Sequence, residues 1–193
     1  MPYSQAHKDE TRRSILTVAA RLFRRHGYDG VGIDKIMAEA GLTRGGFYNH
    51  FRSKQALFKE LFGNEHDYIA RLSARTGANP TELNHQARGV AADYLHPEHR
   101  AAVFAGCSLT ALATDSARSD ASTQKRYAKA LEMLKAEFQR DGSSEQSALQ
   151  AIVASVGGLL LASACAADTE LSAKVSDAAS ALAAQCLDPN AGR

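Results

Sequence analysis

Helical periodicity constrains this chain more than any other feature of its sequence. Apolar residues recur every three or four positions along nearly the whole length, and no segment alternates as a half-buried strand does. Alanine, the best helix former, occupies 36 of the 193 positions, and proline occupies only 4. The sequence therefore predicts an all-α fold of about nine helices, long enough to bury a core without disulfides or a metal.

Glycine, proline and polar turns divide this pattern into segments. The predicted helices span residues 8–26, 33–40, 43–49, 53–76, 81–95, 106–117, 121–140, 145–166 and 171–186. Gly27 and Gly41 are placed to end the first two helices, and Ser53 is placed to cap the fourth. Two domains are predicted, one over residues 1–52 and a second over residues 53–193.

Positive charge is concentrated near the N-terminus. Residues 1–62 hold 11 Lys and Arg against 6 Asp and Glu, which gives +5, whereas the whole chain carries a net charge of only +2. A basic segment of this kind is typical of a surface that faces nucleic acid, although charge also varies by a few units along any chain.

The second and third predicted helices are joined by Gly41-Leu42. Two short helices joined by a glycine turn make the helix-turn-helix pattern, which any two short helices can imitate. Thr43 is placed to cap the third helix, and Arg44 follows in its first turn, where an arginine can read guanine. Gly45 and Gly46 are unfavourable inside a helix. They indicate either a close approach of the backbone to a DNA groove or simply an N-terminal turn.

The N-terminal segment resembles the TetR/AcrR family of bacterial transcriptional regulators over about residues 8–62. The matches fall in order at fixed spacing: Ile15-Leu16, Ala19-Ala20, Leu22-Phe23, Gly27-Tyr28, Ile36, Ala40-Gly41, Thr43, Gly45, Tyr48, His50-Phe51, Lys54 and Leu57. Two positions depart from the family pattern. Val31-Gly32 stands where Thr followed by Ser or Thr is usual, which removes a capping hydroxyl and one expected phosphate contact, and Met37 replaces a small residue.

The resemblance implies a set of DNA-contacting residues, with Arg44 as the best candidate for reading bases. The set is Arg12, Thr43, Arg44, Gly45, Gly46, Tyr48, Asn49, His50 and Lys54. For Arg12 the alternative is a solvated helix face. Phe47 and Phe51 are predicted to lie in the core instead. Because one helix-turn-helix of this kind reads half of a palindromic operator in double-stranded DNA, a homodimer is expected.

Two stripes of small and apolar residues provide a candidate dimer interface. The first is Ala154, Gly158, Ala162 and Ala166, and the second includes Val175, Ala179 and Leu182. Two helices from each subunit would then make a four-helix bundle, as the resemblance also implies. The alternative is that both stripes pack inside one subunit.

The resemblance further implies a small-molecule effector site in the second domain. Its candidate lining is Tyr68, Tyr94, Phe104, Cys107, Tyr127, Met133 and Phe138, and each of these is also compatible with an ordinary core position. The charge-poor mixture favours an apolar or aromatic ligand. Cys107, at the predicted start of a helix, is placed to react with electrophiles, which some members of the wider family sense through cysteine; the alternative is a buried, unreactive thiol.

Other functions find little support in the sequence. The three cysteines are widely spaced, and His96 and His99 are separated by Pro97, so neither a disulfide framework nor a metal site is predicted. No phosphate-binding loop or catalytic triad occurs, so we expect no cofactor and no catalysis. The start of the chain has no apolar leader, which predicts a cytoplasmic location.

One uncharged run, residues 146–167, is long enough to cross a bilayer. It is rich in Ala, Ser and Gly and lacks flanking basic residues, which favours a buried interface helix and no membrane partner. The sequence thus predicts a homodimeric regulator, in particular a repressor released from its operator by a small apolar or electrophilic effector. The alternative is an all-α small-molecule-binding or interaction protein without DNA binding.

Overall fold

A computed structural model describes residues 5–63, 66–96, 98 and 107–188, and every element within these residues is helical. The all-α prediction is confirmed. The N-terminal helices are α1 (Gln5–His26), α2 (Ile33–Glu39), α3 (Arg44–Phe47) and α4 (Lys54–Glu60), with a 3-10 turn over Leu61–Gly63.

The remaining elements form a helical body. They are α5 (Asp67–Ser73), α6 (Pro80–Leu95), α7 (Ser108–Ala111), α8 (Ala113–Ala117), α9 (Ala121–Phe138), α10 (Glu145–Ile152), α11 (Gly158–Ala164) and α12 (Thr169–Cys186). A 3-10 turn over Gln139–Asp141 follows α9. A π turn over Val153–Gly157 joins α10 and α11 into one helix.

Several helix ends follow the sequence signals. Gly27 and Gly41 take the left-handed conformation, with φ of +73° and +71°, which ends α1 and α2 at little steric cost because glycine has no Cβ. Ser53 caps α4 through its Oγ, which accepts from the amide of Ala56 at 3.0 Å. Gly32 is the N-cap of α2 in extended backbone, without a side chain to accept a hydrogen bond.

The prediction of one helix over residues 53–76 is wrong. After α4 the chain passes through the 3-10 turn, and α5 begins only after His66, whose backbone is extended. Gly63 in this turn lies against Arg126, and any side chain at this position would collide with the guanidinium. The break thus lies where the chain packs against α9.

The predicted helix over residues 106–117 is also interrupted. It divides at Leu112, where φ is −111° and ψ is 11°, into α7 and α8. Leu112 is fully buried in the hydrophobic cluster of the N-terminal helices. The break thus lets the body insert one side chain into the N-terminal core, a tertiary effect that periodicity does not show.

Two main hydrophobic clusters organise the structure. The first is built by α1 to α4 with Leu112, and the second by the helices of the body, and Tyr127 packs against both. Leu57 and Phe58 of α4 belong to the first cluster, across the predicted boundary between residues 52 and 53. Arg24 adds a polar contact at this junction, since its Nη1 lies 3.2 Å from Ser108 Oγ.

A buried arginine ties the far end of the body together. Arg75 donates from Nε to the carbonyl of Leu72 and from Nη1 to that of Leu83, each at 2.8 Å, and its third nitrogen reaches the carbonyl of Glu137. These three carbonyls belong to α5, α6 and α9, so one side chain fixes three helices relative to each other. Hydrogen bonds from a charged donor are worth about 1.5–3 kcal/mol each.

The helix Glu145–Ala164 is long and apolar enough to cross a membrane by length and composition alone. In its most apolar window, 44% of the residues are buried inside the protein, where the helix packs on α6 and α12. Core helices of this length and composition pass the same test.

Candidate DNA-binding site

The third helix rests on two buried aromatic rings. Phe47 and Phe51 are almost completely buried, with ring centroids 5.7 Å apart, and Met37 of α2 lies in the same cluster. Both phenylalanines are core residues, as predicted. Because α3 is held from this side, its opposite side faces solvent.

That opposite side collects most of the predicted DNA contacts. Thr43, Arg44, Gly45, Tyr48 and Asn49 are all exposed, and the large side chain of Tyr48 is 57% exposed. These residues present a guanidinium, a phenol, an amide and a hydroxyl on a short stretch of chain. This mixture of donors and acceptors suits the base edges and phosphates of a DNA groove.

Arg44 is held by a weak partner. Its Nη1 lies 2.8 Å from Asp34 Oδ2 of α2, and about two thirds of each side chain is exposed. An exposed ion pair of this kind contributes little to stability, so it can be exchanged for a contact outside the protein.

The two glycines of α3 are not required by the packing of the protein. A Cβ on Gly45 would meet no atom within 4 Å, and a Cβ on Gly46 would make only ordinary contacts with Met37 and Thr43. Both glycines also have negative φ. Neither crowding nor backbone conformation among the described residues therefore requires them. Both lie in the first turn of α3, so a groove contact and an N-terminal turn remain the two interpretations.

Two details of this region differ from the sequence expectations. The third helix ends at Phe47 rather than near Asn49. Thr43 is its N-cap with extended backbone, but the side chain makes no capping hydrogen bond. Thr43 is exposed, so the free amides at the start of α3 are left to solvent or to a bound partner.

Two of the predicted phosphate contacts are engaged inside the protein. Arg12 pairs with the carboxylate of Glu60, and its guanidinium carbon lies 4.7 Å from the centroid of the Phe51 ring. Lys54 Nζ lies 4.1 Å from the centroid of Tyr28. Any DNA contact by either cation must share or replace these interactions.

A cleft of about 410 Å³ opens between the first turns of α1 and the helix-turn-helix. It is lined by His7, Lys8, Thr11, Met37, Leu42, Thr43, Gly46, Asn49 and His50. We call it the α1–α3 cleft. His50 was among the predicted DNA contacts, whereas His7, Lys8 and Thr11 of α1 were not. Their spacing was an available signal, because residues 7 and 11, like residues 8 and 12, lie four apart and share a helix face.

The candidate effector-site residues form a packed core. Tyr68 and Tyr94 stack with centroids 3.8 Å apart and planes within 7°, and Phe138 meets Tyr68 edge-on at 5.9 Å. The Tyr94 hydroxyl lies 2.7 Å from Cys107 Sγ and 2.7 Å from Thr110 Oγ1. These side chains fill the space between them, so a ligand could enter only by separating them.

Three further members of the predicted lining are Met133, Tyr127 and Phe104. Met133 is 51% exposed on the outer side of α9, so its assignment to a pocket is wrong. Tyr127 is half-buried and donates to the carbonyl of Leu109 at 2.7 Å. Phe104 lies outside the described residues.

Cys107 lies at the N-cap of α7 and is fully buried. Its neighbours are Tyr94 and Thr110, and an electrophile in solvent has no direct access to the sulfur. This environment favours the buried, unreactive alternative. Cys165 and Cys186 are partly exposed. Among the described residues, no group of three or more His, Cys, Asp and Glu side chains could hold a metal ion.

The predicted dimer stripe is largely wrong, because most of it packs inside the subunit. Ala154, Gly158, Ala162 and Ala179 are buried. A Cβ on Gly158 would collide with the side chain of Ala179 across the α11–α12 contact, and the Ala162 carbonyl accepts from Ser172 Oγ at 2.6 Å. Small residues here serve the close approach of two helices of one chain. Val175 is half-buried, and only Ala166 and Leu182 of the predicted set are exposed.

A different face of the same helices is exposed and apolar. It carries the large side chains Leu149, Val153, Leu160, Leu161 and Leu182. We call it the α10–α12 face. Val153 is 71% exposed, which is unusual for the centre of a long helix packed on its other side. A contiguous set of exposed large apolar residues is typical of a protein–protein interface.

A helix-turn-helix with an exposed third helix, mounted on an all-α body, defines a class of DNA-binding protein fold. Comparison with known proteins shows which family the N-terminal segment resembles. The sequence model described as "Bacterial regulatory proteins, tetR family" matches residues 15–61. A helix-turn-helix transcriptional repressor of Mycobacterium tuberculosis is 35% identical over 74 residues, which cover 38% of this chain and 40% of the repressor. The chain thus matches less than half the length of this curated relative.

Solved structures extend the similarity over the body. A TetR transcriptional regulator from Chloroflexus aurantiacus has a TM-score of 0.67 at 25% identity, with 91% of this chain and 93% of that chain covered. The complex of SmeT with triclosan has a TM-score of 0.64 at 21% identity and covers 92% of this chain and 90% of its own. Residues 15–61 are thus similar to the TetR family of bacterial regulatory proteins, and the chain shares the fold of these solved structures.

Proposed function

We propose that this protein is a homodimeric transcriptional repressor that binds a palindromic operator and is released by a small molecule. The observation that carries the proposal is the exposed side of α3. Polar side chains and two glycines that the packing does not require lie there, and the buried rings of Phe47 and Phe51 support them from the other side. The match of residues 15–61 to the TetR family model and the repressor among the relatives support it.

Each residue of the exposed side has a role in this proposal. The backbone at Gly45 and Gly46 approaches the major groove, and Arg44 exchanges Asp34 for a guanine edge. Tyr48, Asn49 and Thr43 contact phosphates or neighbouring bases. Arg12 and Lys54 face the DNA backbone from either side and contribute affinity without sequence preference.

We propose that the α10–α12 face, and not the small stripe, joins the two subunits. A second copy of the chain is the occupant that the proposed function requires, since one helix-turn-helix reads half a palindrome. A twofold axis through this face would bring the same leucines and Val153 of both chains together. The two α3 helices would then be held at a fixed spacing for successive major grooves.

The effector is proposed to act on the body. The SmeT structure was solved as a complex with triclosan. For the present chain, the aromatic C-terminal core favours an apolar or aromatic ligand that enters by separating these rings. The ligand would release the operator only through its higher affinity for a dimer with wrongly spaced α3 helices. An electrophile acting at Cys107 would need the same opening of the core.

The experiment is selection of bound duplexes from a randomised DNA pool at physiological salt. Recovery of an inverted repeat, with affinity falling steeply as salt rises, is the expected result because phosphate contacts release counterions. No enriched sequence and no salt-dependent binding would instead favour an all-α small-molecule-binding or interaction protein. Binding to chromosomal operators would also place the protein in the cytoplasm.

A further inference from the structure

The α1–α3 cleft contains a histidine in an unusual state. His50 lines the cleft, and its Nδ1 is buried with no hydrogen-bond partner. Burial, followed by the positive charges of Lys8 and Arg12, lowers the pKa of His50. In the free protein this environment disfavours the charged imidazole, because a buried charged N–H without an acceptor is costly.

The charged groups that line the cleft around His50 are positive. Helix α1 contributes His7, Lys8 and Arg12, of which Arg12 is partly neutralised by Glu60 of α4. The part of α2 and its turn that lines the cleft is apolar, and the α3 side supplies hydroxyl, amide and backbone groups. Among the described residues that line the cleft, none carries a carboxylate.

A cleft with this composition suits an anionic oxygen. An anion would accept a hydrogen bond from a protonated His50 and would offset the charge of Lys8 at the same time. The cleft lies beside Thr43 and Asn49, on the side of α3 that faces the operator in the proposed function. The anion that this position would meet is a phosphate of the DNA backbone.

We propose that the α1–α3 cleft is a seat for an operator phosphate, in which His50 takes up a proton as the DNA binds. The inference rests on the proposed function and adds to it a pH dependence and a contact from the first turns of α1. The proton moves from solvent to the imidazole, and the phosphate remains ionised. Operator binding is therefore coupled to proton uptake, up to one proton per subunit.

The direction of the pH dependence follows from linkage. A phosphate in the cleft raises the affinity of His50 for its proton, so the bound state holds more protons than the free state. Binding is strongest where His50 is protonated in both states and weakens as the pH rises through the histidine range, around 6.5. For a dimer we expect the operator affinity to fall by about tenfold or more between pH 6 and pH 8.

The test measures operator affinity between pH 6 and pH 8 at constant ionic strength, with the duplex recovered by selection. The variants are His50→Gln, His7→Gln and, as a matched control, His85→Gln on the exposed side of α6. We expect His50→Gln to abolish most of the pH dependence and the other two variants to keep it. The salt dependence of Lys8→Gln is compared with that of Lys129→Gln on α9, and Lys8→Gln should reduce the slope by about 0.9 for each subunit.

The outcomes separate this inference from the proposed function. Specific operator binding with no pH dependence, or with a pH dependence that survives in His50→Gln, would overturn the inference and leave the repressor proposal standing. A pH dependence lost in His7→Gln instead would assign the proton to the other imidazole and also overturn it. If no duplex were bound at any pH, both proposals would fall.

Discussion

The glycines of α3 show how much a single residue can indicate at the residue scale. In sequence they are two unfavourable positions in a short helix, compatible with a groove contact or with a turn. The structure adds that nothing within the protein occupies the space beside Gly45. The space was not predictable from the sequence, because it depends on how α2, α3 and α1 pack.

The first prediction concerns this space. Gly45→Ala should leave the fold intact, and the added helix propensity can stabilise α3 by up to about 1 kcal/mol. It should nevertheless weaken operator binding at least tenfold, about 1.4 kcal/mol, because the methyl group would stand between the backbone and the DNA. Fluorescence anisotropy with a labelled operator measures the affinity.

Gly89→Ala is the matched control. Gly89 lies on the exposed side of α6, and a Cβ there also meets no atom within 4 Å. It should stabilise the protein without changing operator affinity. If Gly45→Ala bound the operator as tightly as Gly89→Ala, the glycine would have no role in the groove.

At the scale of secondary-structure elements, the sequence predicted most helices and several of their caps. It failed where tertiary contacts override periodicity, at the break before α5 and at Leu112. It also misjudged the face of α10 and α11. The small residues were interpreted as the dimer stripe, whereas Gly158 and Ala179 let two helices of one chain approach closely. The exposed Leu149 and Val153 were visible in sequence, but periodicity alone does not show which face the body covers.

The second prediction tests the contact between α11 and α12. Gly158→Ala should destabilise the protein by roughly 1–3 kcal/mol, because its Cβ would collide with the side chain of Ala179. Ala179→Gly should cost about 1 kcal/mol through helix propensity alone. The double variant should be more stable than the sum of the two effects predicts, as measured by urea denaturation. Strictly additive effects would mean that the two positions are not in contact.

The third prediction tests the α10–α12 face. Val153→Lys should fold normally, because the side chain is 71% exposed in the monomer, but should shift the protein from dimer to monomer in sedimentation experiments. Operator affinity should fall with it. Met133→Lys, at a comparably exposed position on α9, should remain dimeric. A Val153→Lys protein that stayed dimeric would exclude this face as the interface.

At the scale of the whole molecule, buried tyrosines make the stability of the protein depend on pH. Burial raises the pKa of Tyr68, Tyr94 and Tyr127, to about 12 for Tyr127. The unfolded chain ionises near pH 10, whereas the folded protein keeps these phenols protonated. The contribution of these phenols to the free energy of unfolding is therefore fully present below pH 10. It is lost as the pH rises from 10 through the folded pKa values, by about 1.4 kcal/mol per pH unit for each such tyrosine.

This fourth prediction is checked by urea denaturation between pH 9 and pH 11. The free energy of unfolding should decrease steadily above pH 10. Tyr127→Phe should reduce the slope of the free energy of unfolding against pH by about 1.4 kcal/mol per pH unit, which corresponds to one proton. Tyr48→Phe, on the exposed side of α3, should leave this slope unchanged. A free energy of unfolding that did not change up to pH 11 would contradict the burial of these phenols.

The central claim is that the exposed side of α3 reads an operator as part of a dimer. The most direct test is parallel selection from one randomised duplex pool with the parent protein and with Arg44→Ala. We predict an inverted repeat for the parent, and for the variant the same repeat with one base preference lost at the same position in each half-site. Recovery of no repeat by the parent, or of an identical sequence preference by both proteins, would contradict the account.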